Sequence, residues 1–427
     1  MMRVLVLHRS CSEKRKTIDD HLYSFKRYVK DVEFFYCDVY FKVPSFMRWI
    51  DWDGVIIHYT LLGERFDQRL WKNIFKGLAK TLPKTKGFKI AIPQDEFILS
   101  DQLCELFRLG NVETVFTCAS SIDYETIYPL EKSGLKHRIS TLTGFVDEET
   151  IEILESLSKE VQERTIDIGY RARNLPYWVG AHGQYKGVIA DRVLQAPNPF
   201  GLKLDISTKY SDVFYGNDWL KFLLRCNTTL GCLGGSSLHD PDGTIRKKVD
   251  EHVRNNPQAT FQEVEKACFP GLDYKLHLFA LSPRHFECAM SKTCQILLEG
   301  DYQGVLSPGI HYIELKKDFS NLAEVMKLAA DREYCNEIAE NAYCDIVASK
   351  KYTYSAFANQ VIDHIRQFSK PQKVKSETNI SVVRYLLGLH NRWRIVYTRF
   401  LMLRNRSEAL LRRMAKKTLV KLGLMKR

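Results

Sequence analysis

A chain of 427 residues exceeds what one hydrophobic core ordinarily carries, so two domains and a tail are expected. With 45% hydrophobic and 27% charged residues it has the make-up of a globular protein, which excludes a fibrous or wholly disordered chain. A net charge of +12 suggests a nucleic-acid partner until it is located: residues 371–427 hold 15 basic and 2 acidic residues, leaving 48 and 49 in a nearly neutral body.

The start, M-M-R-V-L-V-L-H-R, is too short an apolar run for a signal peptide and reads as a first strand. Val4–Leu7, Val32–Tyr36, Gly54–Ile57, Lys89–Ile92 and Thr114–Thr117 predict buried strands. Helical stretches such as Asp19–Val29 and Arg65–Leu82 lie between them, long enough for crossovers. This is a doubly wound first domain over residues 1–147. Glu148–Arg164 reads as a charged helical connector opening a second α/β domain, 148–369. Its predicted strands are Ile166–Tyr170, Lys203–Ser207, Thr228–Leu230, Leu276–Ala280, Gln295–Leu298 and His311–Glu314. A helix is expected from near Lys186, with others at Asp218–Cys226, Phe261–Cys268, Asn321–Ala330 and Tyr354–Gln367. No segment approaches the roughly 18 continuous apolar residues of a membrane span. Eleven cysteines without C-x-x-C spacing or a His cluster point to reduced thiols in the cytoplasm rather than to disulfides or zinc.

The second domain carries the chemistry. In S-P-R-H-F-E, Arg284 and Glu287 stand three apart on a predicted helix and can face one cleft. A guanidinium clamps a phosphate and a carboxylate holds a ribose diol. Arg171 and Arg173 follow a strand, and Lys186 opens a helix whose N-terminal amides suit a diphosphate. Gly234, Gly235 and Ser236 form a Gly-rich turn permitting close backbone approach. Asp240-Pro-Asp-Gly243 contains a D-x-D but reads as a turn, so no metal is expected. In the first domain, Asp95, Glu96 and His58 end strands that open toward the cleft and are the candidate bases.

The run Ser282–Tyr312, with Arg284, His285, Glu287, Gly300, Tyr302, His311 and Tyr312, resembles the sugar-nucleotide site of glycosyltransferases with two Rossmann domains facing a cleft (the GT-B fold). The resemblance is to the CgeB-like and group-1 branch. It covers about residues 166–365 and extends to D-I-S…Y-G-x-x-W-x-x-F-L…L-G…G-x-S…D-x-D-G from Asp205 to Gly243. It implies a nucleoside-diphosphate-sugar donor, no required metal or cofactor, and a diphosphate neutralised by Arg171 and Lys186. It departs from the group-1 pattern at Phe279, where the first of two glutamates is expected.

The tail, 370–427, predicts a basic amphipathic helix: Leu410, Leu411, Met414, Leu419 and Leu422 lie opposite Arg412, Arg413, Lys416, Lys417 and Lys421. Residues 381–427 are expected to meet an anionic membrane surface rather than nucleic acid. The combined expectation is a cytoplasmic enzyme, peripheral on the inner face of the cell membrane. It would glycosylate a glycan or lipid-linked glycan in bacterial surface polysaccharide assembly. A silent sugar-binding scaffold and an RNA-binding protein are the alternatives.

Overall fold

Apolar runs without alternation, such as Val4–Leu7 and Val55–Ile57, belong to strands covered on both faces, and all of these side chains are buried. The computed structural model describes residues 1–10, 16–161, 163–369, 379–394 and 396. Its strands are β1 Met2–His8, β2 Val32–Asp38, β3 Gly54–His58, β4 Phe88–Ile92, β5 Thr114–Thr117, β6 His137–Ser140, β7 Ile166–Arg171, β8 Leu204–Ser207, β9 Cys226–Gly231, β10 Gly234–Ser236, β11 Leu278–Ala280, β12 Cys294–Leu298 and β13 Ile313–Leu315. One sheet runs β2-β1-β3-β4-β5-β6 and another β13-β12-β9-β7-β8, and every pairing within them is parallel. These are the two doubly wound α/β domains expected. β6 escaped the sequence because H-R-I-S carries a single apolar residue.

β10 and β11 form a separate antiparallel ribbon. The strand expected at Leu276–Ala280 therefore leaves the second sheet, and β13 begins only at Ile313, after His311 and Tyr312. The helix expected near Lys186 starts earlier, as Gly180–Gln195. Gly180 has φ 81°, and a Cβ there would stand 2.4 Å from the Ser237 hydroxyl, so only glycine fits the turn.

Two devices join the domains. Residues 97–101 pair with 239–241: Leu99 N donates to Asp240 O at 2.8 Å and Asp240 N to Phe97 O at 2.8 Å. The Asp240 carboxylate accepts from Ile245 N and Arg246 N, and Asp242 from Thr244 N, so the D-x-D is the turn expected, starting a helix. The second device is a return crossing. Helix Tyr354–Phe368 inserts Phe357, Val361 and Ile365 against Val6, Phe25 and Ile56 of the first domain. Ile365 lies over Gly54, where a Cβ would come within 2.8 Å of it. Residues 354–368 thus belong spatially to the first domain, not to the second as the division at 369 supposed.

A helix over 379–394 lies on the other face of the same sheet, with Ile380, Val383 and Leu387 in the core that holds Leu5, Leu7 and Val55. Asn391 donates to Tyr36 O at 2.8 Å and accepts from Asp38 N at 3.1 Å, closing the edge of β2 as a neighbouring strand would. Arg394 meets Asp38 at 3.3 Å, both nearly fully buried. This part of the expected tail is docked on the body. The linker at 370–378 and the basic helix around 407–422 lie outside the described residues. Among the described residues no helix is long and apolar enough to cross a membrane.

Burial also fixes protonation. His285 is buried with Nδ1 2.9 Å from Gln295 Oε1, and burial lowers its pKa from 6.5 to about 4. The folded state therefore binds fewer protons than the unfolded chain below pH 6.5. The contribution is complete above that value and declines as pH falls toward about 4. Replacing His285 by Gln removes the linkage: between pH 6 and pH 5 the unfolding free energy of wild type should fall relative to the variant by roughly 1.4 kcal/mol. Urea titrations at the two pH values measure it, and a constant difference would refute the assignment.

Candidate active site in the interdomain cleft

In doubly wound sheets ligands lie beyond the carboxyl ends of the strands, where the strand order reverses. Here that point in the second sheet is β7, flanked by β8 and β9, and its carboxyl end is Arg171. A cavity of ≈ 440 Å³ opens there, lined by Arg173, Lys186, Gly234, Arg284 and Glu287, with Thr17 of the first domain. A second, of ≈ 470 Å³, adjoins it and shares Thr17, Trp219 and Glu287.

The arginines after β7 divide. Arg171 bonds Asp205 Oδ1 at 2.6 Å and the carbonyls of Tyr170 and Asp205, with its guanidinium over the Phe222 ring at 4.6 Å. It touches the cavity wall, but its charge is already compensated, so the pairing of Arg171 with Lys186 is corrected. Arg173 reaches the Tyr215 hydroxyl at 3.1 Å and lies over Tyr210 at 4.4 Å, with no carboxylate in contact among the described residues. Lys186 stands in the second turn of helix Gly180–Gln195. Burial lowers its pKa and Arg284 lowers it further, while Asp95 opposes them. The N-terminal amides of that helix are taken, Ala181 N by Asp273 at 2.8 Å and His182 N by Ser237 at 3.1 Å. They are not free for a phosphate as expected.

The N-terminus of helix Pro283–Met290 borders the cavity instead. Pro283 occupies its first turn, where no amide is needed, and no side chain caps it. Ser282, Pro283 and Arg284 all line the cavity. Arg284 rests against Trp219 at 5.0 Å and Tyr170 at 6.0 Å, again without a carboxylate in contact. One turn on, Glu287 accepts from Trp219 Nε1 at 2.7 Å, and burial raises its pKa. Arg284 and Glu287 face one cleft as the sequence predicted. Trp219 was missed as a site residue although the Y-G-x-x-W run contains it; its role depends on the indole N–H meeting a carboxylate 68 residues away.

On the first-domain side Asp95 has φ 53°, a left-handed conformation that Asp tolerates better than most residues. Buried Arg65 holds this turn by donating to the carbonyls of Asp95 at 2.6 Å, Gln94 at 2.9 Å and Leu62 at 3.1 Å. The Asp95 residue is open to solvent yet enclosed by protein, and that enclosure raises its pKa while Arg65 and Lys186 oppose the rise. Asp95 and Lys186 therefore sense each other across the cleft. Glu96 does not share this setting: it is buried, accepts from Thr117, Cys118 N and the Tyr128 hydroxyl, and has a pKa raised by burial to about 7. His58 is buried against His21 at 2.9 Å and Thr60 at 3.0 Å. Neither of these can reach a ligand in the cleft.

Other candidates turn inward. Ser236 bonds the carbonyls of Val179 and Leu238, and Tyr302 bonds Leu298 O. His311 is held by Ser307 N at 3.0 Å and Asp345 at 3.0 Å, while Tyr312 is buried against Tyr302 at 5.1 Å. His285 belongs to the core, and Gly300 makes its close approach to Leu233. These residues shape the helix and loop that carry Arg284 and Glu287. Asp20, Asp147 and Glu149 are the group of three acidic side chains close enough to share an ion among the described residues. Lys16 and Arg27 already sit among them, Lys16 at 2.7 Å from Asp20 and 2.9 Å from Asp147, and Arg27 at 2.9 Å from Asp147.

Two facing domains of this architecture make the GT-B fold. No protein-family model matches the chain, and no curated protein matches it. Among solved structures, Anabaena HepE in complex with UDP-glucose is 12% identical over 86% of this chain and 100% of its own, with a TM-score of 0.49. The T4 phage BGT in complex with its UDP-glucose substrate is 9% identical, covering 86% and 99%, with a TM-score of 0.47. Sucrose-phosphate synthase from Thermosynechococcus elongatus is 11% identical, covering 86% and 99%, with a TM-score of 0.43. At such distances the chemistry of this chain rests on its own residues.

The two glycines of the Gly-rich turn differ in what the backbone needs of them. Gly235 has φ 94°, and a Cβ there would stand 1.8 Å from Leu278 O; at Gly234 the nearest atom is 3.5 Å away. Gly235→Ala should lower the melting temperature by several degrees, for a cost of about 2 kcal/mol or more. Gly234→Ala should leave it nearly unchanged. Equal melting of the two variants would contradict this division.

Proposed function

We propose that the cleft binds a nucleoside-diphosphate sugar and that the chain transfers its sugar to a hydroxyl of a glycan or lipid-linked glycan. The observation that carries this reading is the group of three cations, Arg173, Lys186 and Arg284, facing one cavity with no carboxylate in contact among the described residues. Uncompensated cations gathered in a cleft repel one another, and a diphosphate removes that repulsion. Glu287, oriented by Trp219, suits a sugar or ribose diol beside it.

Asp95 then takes the proton from the acceptor hydroxyl. The acceptor oxygen attacks the anomeric carbon, the bond from that carbon to the diphosphate oxygen breaks, and its electron pair leaves with the diphosphate. Lys186 and Arg284 stabilise the negative charge that develops there, a role that needs no metal. One base and direct displacement imply inversion. The second-domain motifs favour the CgeB-like branch, and a lipid-linked acceptor of bacterial surface polysaccharide assembly, reached from the inner membrane face, fits the basic carboxyl-terminal sequence. A silent sugar-nucleotide binder has one observation in its favour: Phe279, at the place of the first of the two glutamates, is stacked on His182 at 4.1 Å. Hydrolysis or transfer of donor sugar separates the two readings.

Calorimetric titration with UDP, GDP and dTDP should find at least one ligand. Lys186→Ala and Arg284→Ala should each weaken it by roughly 1.5–3 kcal/mol, as for hydrogen bonds to charged groups. Asp95→Asn should retain binding but lower turnover by about 100-fold or more. If no nucleotide binds, or if the lysine and arginine variants bind as wild type does, the reading is wrong.

A further inference from the structure

The helix over 379–394, continued by Val396, is apolar on two opposite faces. Ile380, Val383, Leu387, Asn391 and Arg394 point into the first domain. Val382, Tyr385, Leu389, Trp393 and Val396 recur at the same three- and four-residue spacing, displaced by two positions, which is about 200° around the helix. Every one of them is exposed, Tyr385 by 68% and Val396 by 66%. A helix docked on a globular core ordinarily turns a polar face outward. Trp49 and Phe41 extend the patch from the β2–β3 connection: both are exposed, and Phe46, between them in sequence, lies 6.4 Å from both Trp49 and His390.

The helix itself carries charge of one sign, with Arg384 paired to Glu33 on the neighbouring strand. Residues 379–396 contain no acidic residue, and Arg384, Arg392, Lys42 and Arg48 are exposed around the patch. The sequence that continues from it, 397–427, adds ten basic residues against one acidic. A second copy of the chain would meet its own positive charge here. Aromatic and aliphatic side chains ringed by arginine and lysine match instead the headgroup layer of an anionic bilayer.

We infer that the outer face of this helix, with Phe41 and Trp49, is the surface by which the protein lies on an anionic membrane. The helix runs along β2 from Glu33, which Arg384 contacts, to Asp38, which Arg394 contacts, and so reaches the carboxyl edge of the first sheet. That edge forms the first-domain rim of the cleft, so a bound protein presents this rim to the lipid. The surface stands without the proposed transfer reaction; that a lipid-linked acceptor enters along this rim rests on it.

The test uses the full chain without nucleotide, floated with phosphatidylcholine vesicles made with or without phosphatidylserine. Flotation is expected with phosphatidylserine only, and should weaken as salt is raised. Tyr385→Ser combined with Leu389→Ser should reduce partitioning by about tenfold or more, with melting temperature and UDP titration unchanged. Val382→Ser with Val396→Ser repeats the test at the ends of the stripe. Wild type that stays unbound, or serine variants that float equally, overturns the inference. So does a wild-type dimer in light scattering that the serine variants dissolve, since the stripe would then be a self-interface. Intact flotation of a protein that binds none of UDP, GDP and dTDP would remove only the donor reading.

Discussion

Both large sheets are wholly parallel, and a parallel sheet is stable only with both faces covered. Much of the architecture answers that requirement. In the first domain helix Lys16–Tyr28 covers part of one face, and the return crossing of Tyr354–Phe368 completes it. The opposite face takes helices Gln68–Thr81 and Ser100–Gly110 together with 379–394. Parallel strands also place all their carboxyl ends on one side. Two such sheets whose carboxyl ends face one another share a crevice, and the loops that carry Arg173, Lys186, Arg284 and Asp95 open into it.

The crevice is costly in the unliganded state. Burial and the nearby Arg284 both disfavour the charge of Lys186, with Cys232 and Asp95 opposing them. The framework around them is tightly determined: Arg65 fixes the turn of Asp95, Trp219 fixes Glu287, and Asp273 and Ser237 fix the helix that bears Lys186. Like charges are thus held close together in a rigid frame. Arg171 shows the contrast, since a similar position with Asp205 in reach becomes part of the frame rather than part of the site.

The strands and the two-domain pattern were legible because continuous apolar runs report burial directly. Arg284 and Glu287 were legible because three-residue spacing on a helix fixes a shared face. What stayed hidden depends on partners distant in sequence. Nothing local says that Arg171 will find Asp205 while Arg173 will not, or that Glu96 is sealed by Thr117 and Tyr128 while Asp95, its neighbour, stays open. The glycines and aromatic residues of Ser282–Tyr312 mostly turn inward and shape the helix and loop that carry Arg284 and Glu287. Likewise the basic composition of the tail concealed that its first helix uses Ile380, Val383 and Leu387 to join the body.

The return crossing has a further consequence, for the order in which the molecule can be assembled. Residues 1–147 contain every strand of the first sheet, yet the helices that finish both of its faces come after the entire second domain. During synthesis the first sheet must therefore wait, partly uncovered, while more than two hundred further residues emerge. The second domain, whose sheet lies within an unbroken segment, can close first. Maturation would then run from the middle of the chain outward, and the cleft would come into existence only with the last stitch through the first domain.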